Sequence, residues 1–270
     1  MADWRLIKAK RLSICEVCTK EFEIGTEIYW SRSRSVIRCI KCGEPHSIQT
    51  ASSIGTPGKS AQVIVKKKLD ARRERALAAF PKTGKLALRI IPPSKTTQNW
   101  EKGAKAEKEV GELINIFAKK HGFKVMHDRA VPDSKGNIDH IIISETGIFV
   151  VDTKNYDGKI KVKKETGRGG KLIENLYVND YKKNNLIKKV KIQADLVQNV
   201  LTENGLLYPV YGTLAFFHGE FPLFKKPIRV DGIFINGRGL EKLVTENIPG
   251  LKIDVAKAFN ILGKAFPDRS

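Results

Sequence analysis

The chain has 270 residues, 41% hydrophobic and 29% charged, and its 49 Lys+Arg against 29 Asp+Glu give a formal net charge of +20 at pH 7. That is enough chain for one large domain beside a small one, and the longest apolar runs, such as Ile141–Ile143 and Ile148–Val151, are too short to span a bilayer. So large a cationic excess points to a polyanion as partner, nucleic acid above all. The alternative is a surplus kept for solubility. A membrane surface is disfavoured, because no strongly amphipathic basic helix accompanies the charge.

The start, MADWRLIKAKRL, is basic with no apolar stretch behind it. We read no secretory signal in it and expect a cytoplasmic protein, free or associated with the nucleoid. Residues 1–48 hold all four cysteines, as Cys15-Glu-Val-Cys18 and Cys39-Ile-Lys-Cys42 with 20 residues between the pairs. Two CxxC turns each aim two thiolates at one metal, so this spacing predicts a four-cysteine zinc site, structural because four thiolates leave no open position. Two disulfides are the alternative, disfavoured in a reducing cytosol. A module this small has little core, and the metal would supply much of its folding energy.

Residues 49–97 read as a basic linker with a helical segment. Residues 51–100 carry 11 basic and 2 acidic side chains, a local +9. TASSIGTPGKSAQ (50–62) is rich in turn formers. VIVKKKLDARRERALAAF (63–80) is helical, either as a solvated helix or as a phosphate-backbone contact. IIPPSKTTQNW (90–100) reads as extended, with Thr96 and Thr97 placed to cap the next helix.

Residues 98–270 predict an α/β domain with a core at 98–205 and a completing segment at 206–270. A helix over 101–121 carries the stripe Val110, Leu113, Ile114, Phe117 and Ala118. Glu107 lies about 60° from Val110 around that helix and so points at the core, where an unpaired carboxylate needs a cation or a metal; the alternative is a surface glutamate at the frayed end of the stripe. Strands near 124–130, 138–144 and 147–155 follow, then a helix over 186–202 with the stripe Ile187, Val190, Ala194, Val197 and Leu201. Strands near 210–217 and 228–235 and helices over 239–246 and 254–266 complete the chain. The sheet is expected to be mixed, antiparallel at the 138–155 hairpin and flanked by helices.

That hairpin carries charge where a core would exclude it. Asp139 opens its first strand, and Asp152 and Lys154 share one face at the end of the second. With Glu107 they form an oxygen-rich set suited to Mg²⁺ or Mn²⁺, with Lys154 able to orient a nucleophile or offset charge on a phosphate. Strand-end salt bridging is the alternative for Asp139, Asp152 and Lys154 alone. Gln193 falls within the stripe of the 186–202 helix, where it could hold the lysine or the scissile phosphate, or bond to backbone. His127 and His140 read as supporting groups. The basic, glycine-rich KKETGRGGK (163–171) is a flexible turn or a hairpin tip against a nucleic-acid backbone.

The residues also resemble a family. Gly103-Ala-Lys-Ala-Glu107, His127-Asp128-Arg129 with Asn137–His140, and the strand from Gly147 to Gly158 are similar to the motifs of the nuclease-related domain, NERD, of the restriction-endonuclease-like PD-(D/E)xK superfamily. Ala106 stands for a second glycine, and Asp152 for the glutamate of many relatives. The likeness reaches over roughly residues 60–270. It implies a restriction-endonuclease-like mixed sheet and a Mg²⁺-dependent phosphodiester hydrolase acting on DNA in preference to RNA. Glu107, Asp139, Asp152 and Lys154 would form the catalytic set, with Gln193 assisting. The rival expectation is a zinc-finger nucleic-acid-binding protein whose nuclease-like domain does not cut.

Overall fold

A computed structural model of the chain describes residues 4–15, 20–31, 36–40, 54–134, 136–166, 168–170, 172–221, 228–246 and 252–269. The chain divides into two units, Met1–Ser52 and Ser53–Ser270. In the first, strands β1 (Trp4–Lys8), β2 (Ser13–Ile14), β3 (Glu21–Phe22), β4 (Glu27–Ser31) and β5 (Val36–Cys39) form a three-stranded antiparallel sheet, β1-β4-β5, and a small β2-β3 hairpin. Its buried apolar cluster is Ala9, Cys15, Phe22, Ile28 and Cys39. Two of these five described residues are cysteines.

The second unit begins with helices α1 (Lys59–Ala79), α2 (Gly84–Ile90) and α3 (Lys95–His121). Strands β6 (Lys124–Ala130), β7 (Asn137–Ser144), β8 (Gly147–Thr153), β9 (Gly158–Thr166), β10 (Leu172–Val178) and β11 (Tyr181–Lys182) precede α4 (Asn184–Glu203). Then come β12 (Val210–Ala215), β13 (Gly219–Glu220), β14 (Ile228–Val230), β15 (Ile233–Asn236), α5 (Leu240–Thr245) and α6 (Val255–Ala265). The main sheet runs β14-β15-β12-β8-β7-β6 and is mixed: β8, β12 and β15 are parallel neighbours, and the other pairs are antiparallel. A second sheet, β11-β10-β9-β13, packs Ile160, Leu176 and Val178 against Leu186, Ile187 and Val190 of α4. Among the described residues no helix is long and apolar enough to cross a membrane.

Helices cover both faces of the main sheet. Ile141, Ile143, Ile148 and Val150 face Ala194, Val197 and Leu201 of α4 and Ala258 and Leu262 of α6. Ile142, Phe149 and Val151 face Val110 and Ile114 of α3 and Leu243 of α5. Two-sided burial explains why these strands read as continuous apolar runs and not as alternating ones.

Several elements differ from the sequence reading. The 90–100 stretch is helical from Lys95, with Ser94 as the cap accepting the Thr97 N–H at 3.3 Å, because Pro92 and Pro93 stop short of the helix instead of holding it extended. Residues 59–62, read as linker, are the first turn of α1, and α1 and α2 lie in the second unit. Leu113, assigned to the stripe of α3, is 37% exposed. The 228–235 strand is two strands joined by Asp231-Gly232, both at positive φ (49° and 81°), which is the turn chemistry of a tight hairpin. Strands β9 and β10 are absent from the sequence reading, although Lys159-Ile160-Lys161-Val162-Lys163 alternates at the strand period and Ile160 is fully buried.

Gly111 sits inside α3, where alanine would ordinarily add about 1 kcal/mol of helix stability. A Cβ there would lie 2.3 Å from Pro57 Cβ and 3.2 Å from His140 Cε1. We expect the packing to win: Gly111→Ala should lower the melting temperature, by several degrees for a clash costing about 1–3 kcal/mol, as scanning fluorimetry would measure.

Candidate active site

Strand register builds the site. β7 and β8 pair with His140 opposite Val151, and continuing one residue sets Asp139 opposite Asp152. β6 and β7 pair with His127 opposite His140 and Arg129 opposite Ile138, which sets Asp128 on the other side of Asp139. Three carboxylates thus stand in a row across three adjacent strands, an arrangement of like charges that is costly unless each is compensated.

Each is compensated differently. Asp128 leaves the ladder through a left-handed backbone (φ 49°) and accepts from Ser60 N–H, from Ser60 Oγ at 2.8 Å and from Asn137 Nδ2 at 2.9 Å. Helix α1 has no side-chain cap of its own and no acid in its first turn, so Asp128 caps it from the sheet. Asp152, fully buried, accepts from Lys189 Nζ at 2.8 Å through Oδ1 and contacts the Lys154 ammonium through Oδ2. Lys154 Nζ also donates to Thr153 O at 3.1 Å. Burial opposes the charge on Lys189, but the carboxylates of Asp152, Asp139 and Glu107 hold its ammonium above the ordinary value.

The remaining two acids have too few cations. Asp139 accepts Thr153 N–H at 2.9 Å and lies 3.5 Å from Asn137 Nδ2. Burial, followed by the charge of Asp152, pushes it up to about 6 against the pull of Lys154, Lys189 and the Thr153 N–H. Glu107, on the buried face of α3, is pushed up to about 9 by burial and then by Asp139, Asp128 and Asp152, with Lys154 opposing. Its Oε1 has no hydrogen-bond partner among the described residues. Glu107, Asp139, Lys154 and Lys189 line one cavity of about 600 Å³. Among the described residues no three His, Cys, Asp or Glu are gathered tightly enough to hold one metal ion.

The histidines form a buried chain beside the acids. His127 Nε2 lies 3.0 Å from Asn115 Oδ1, the two Nδ1 atoms of His127 and His140 are 2.8 Å apart, and His140 Nε2 is 3.2 Å from Thr153 Oγ1. With Asn115 Oδ1 as acceptor, His127 carries its proton on Nε2, His140 donates from Nδ1, and Thr153 Oγ–H donates to His140 Nε2. Burial and then Arg129 lower His127 to about 4, and burial and then His127 lower His140 well below its ordinary value. Two neutral rings therefore brace Thr153, whose N–H holds Asp139.

Gln193 is buried, but it does not line the cavity. Its Nε2 donates to Asn137 O at 2.8 Å and pins the start of β7. Lys189 was missed in the sequence. The available signal was its place one turn before Gln193 on the same side of α4. In the first unit Cys15 and Cys39 are buried, and the Cys39 N–H donates to Cys15 Sγ at 3.4 Å. Cys18 and Cys42 lie outside the described residues.

The nuclease-related domain (NERD) family matches residues 102–217. That span holds Glu107, all three aspartates of the row, both cavity lysines and Gln193, and the helix-flanked mixed sheet is consistent with a nuclease-like fold. An uncharacterized protein of Bacillus anthracis is 44% identical over 62 residues, covering 22% of this chain and 29% of that protein. The chain thus matches less than a third of that relative's length. No solved structure matches it.

The raised Glu107 pKa has a consequence for stability. The folded chain binds this proton more tightly than the unfolded chain, so the stability it supplies is complete below 4.5 and is lost as pH rises through about 9. Glu107→Gln removes that loss. In EDTA we expect the variant to melt above the wild type at pH 8, by at least about 3 °C, and the two to converge as the pH falls to 4.5. A thermal scan across pH reads this directly, and a variant less stable at pH 8 would mean that the carboxylate is already compensated.

Proposed function

We propose that the protein is a metal-dependent nuclease that hydrolyses phosphodiester bonds, in DNA before RNA. The observation that carries this reading is the meeting of undercompensated buried carboxylates with two lysines in one cavity. Burial and neighbouring carboxylates push Asp139 up to about 6 and Glu107 up to about 9, a deficit that a divalent cation would relieve, and Glu107 Oε1 is a buried acceptor without a donor among the described residues. The donor set is all oxygen, which suits Mg²⁺ or Mn²⁺. Asp139 and Asp152 would hold the ion, with Glu107 reaching it through water. The ion would supply Lewis-acid stabilisation of the phosphoryl oxygens.

The chain's own groups divide the remaining work. Lys154 and Lys189 converge on Asp152 from β8 and α4, so an entering phosphate meets two ammonium groups held in place by a buried carboxylate. Their charge offsets what develops on the phosphoryl oxygens as the bond to the leaving oxygen breaks. Thr153 N–H fixes Asp139, and Gln193 fixes the strand end beside it. The N-terminal unit would bind one zinc through Cys15, Cys18, Cys39 and Cys42; the Cys39 N–H donating to Cys15 Sγ, which brings one residue of each CxxC pair together, supports this reading. That unit and the basic α1 would grip the nucleic acid, in the cytoplasm.

Two tests follow from these assignments. Lys154→Ala should lower cleavage of plasmid and oligonucleotide substrates with Mg²⁺ or Mn²⁺ by about a hundredfold or more, while binding in EDTA stays near wild type. Asp139→Asn or Asp152→Asn should also raise the metal concentration needed for activity. If the wild type cuts no nucleic acid with any divalent metal, or Lys154→Ala cuts equally well, the nuclease reading fails and a binding role is left. Separately, elemental analysis of gently purified protein should find one zinc per chain, lost in Cys15→Ser. Four titratable thiols without zinc would overturn the zinc assignment.

A further inference from the structure

The entrance to the acid–lysine cavity carries a feature that hydrolysis does not require. Ile64, Lys67, Lys68, Ala71, Arg72 and Arg75 recur on one face of α1 at helical spacing and line a second cavity of about 610 Å³ together with Ser94 and Thr97. Ile64 lines this cavity and the acid–lysine cavity alike, and Thr96 and Thr97 fall one on each, so the two adjoin at Ile64. Arg72 is tethered to the end of α2 through Ile91 O, which leaves a rigid guanidinium among the lysines. Trp100, 41% exposed on α3, lines the acid–lysine cavity itself.

From this geometry we infer that the occupant is a single strand of nucleic acid, threading from the basic face of α1 past Trp100 to the acids. The inference rests on the nucleic-acid reading of the site and narrows its substrate. Asp152 is fully buried, and Asp139 and Glu107 are under a tenth exposed, so a reacting phosphate must enter the cavity rather than touch a rim. A space of about 600 Å³ lies in the size range of small-molecule sites, roughly 300–1,000 Å³. It admits a nucleotide or two of an unpaired strand. A phosphate of an intact duplex brings its base pair and the opposite strand with it. A cationic track with an aromatic side chain for base stacking is how single strands are held without regard to sequence. A merely solvated basic helix would not need its cations to line one groove leading to the acids.

The test is fluorescence anisotropy in EDTA with a short labelled DNA oligonucleotide, compared with a blunt hairpin duplex of the same composition. The single strand should bind about tenfold or more tightly than the hairpin. Trp100→Ala should lower single-strand affinity by about tenfold, with Trp100→Phe restoring most of it. Lys67→Glu with Lys68→Glu should weaken binding and reduce the slope of log affinity against log salt by about 0.7 per lost phosphate contact. Equal or tighter binding of the hairpin, or a Trp100→Ala variant that binds single strands like wild type, overturns the inference. Reading binding in EDTA separates it from the nuclease proposal. Trp100-dependent capture of single strands by a protein that cuts nothing refutes the nuclease and leaves this inference standing. Cleavage of blunt duplex by Trp100→Ala at the wild-type rate does the reverse.

Discussion

The second unit is organised around one electrostatic constraint, a row of three aspartates, Asp128, Asp139 and Asp152, across adjacent strands of a sheet that helices cover on both faces. Buried like charges cannot be left side by side, so the surrounding elements must supply protons, donors or cations. The N-terminus of α1 answers the first aspartate and two lysines answer the last. The middle one, with Glu107 of α3 beside it, is answered only in part, and this deficit leaves room for a cation there. A fully compensated row would be a structural ion-pair network with nothing left to bind.

The neighbouring residues tie helix positions to that row. His127, Asp128 and Arg129 are consecutive on β6, and each fastens a different helix. His127 reaches Asn115 on α3, and Asp128 caps α1. Arg129 donates from Nε to Phe266 O at 2.6 Å and from Nη2 to Gly263 O at 3.3 Å, at the C-terminal end of α6 where a cation is favoured. The chain beyond α6 returns along β6, with Ala130 N–H donating to Pro267 O and Arg269 N–H to Asp128 O. The left-handed turn at Asp128 makes this possible, since it frees one residue from the ladder to face a helix end. The strand that contributes no group to the proposed chemistry therefore sets where the groups that do contribute are held.

Much of this was legible in the sequence wherever one element carries its own signal. The strands read at 138–144 and 147–155, the second of which ends at Thr153, the turn between them and the stripe of α4 follow from periodicity and length. Register alternation alone was enough to put Asp152 and Lys154 on one side of β8, and helical angle was enough to turn Glu107 inward. Where the reading failed, the local signal was overridden. Two prolines suggested an extended stretch that Ser94 ends with a helix cap, and Leu113 sits at the exposed edge of a stripe whose Val110 and Ile114 are buried.

What the sequence determined by itself is the kind of groups present and the face of the element each one occupies, because alternation and helical pitch are properties of a single segment. Which of them meet was decided by tertiary structure. Lys189 joins Lys154 at Asp152 only because α4 crosses that face of β8, and Gln193 on the same helix is spent on the backbone of Asn137. Asp128 caps α1 across 68 residues of chain. The two histidines become neutral partners because packing on both sides of the sheet removes the water that would charge them. Such pairings depend on distances between elements remote in sequence and on the low polarity of a closed core, and neither is written in the periodicity of any one segment.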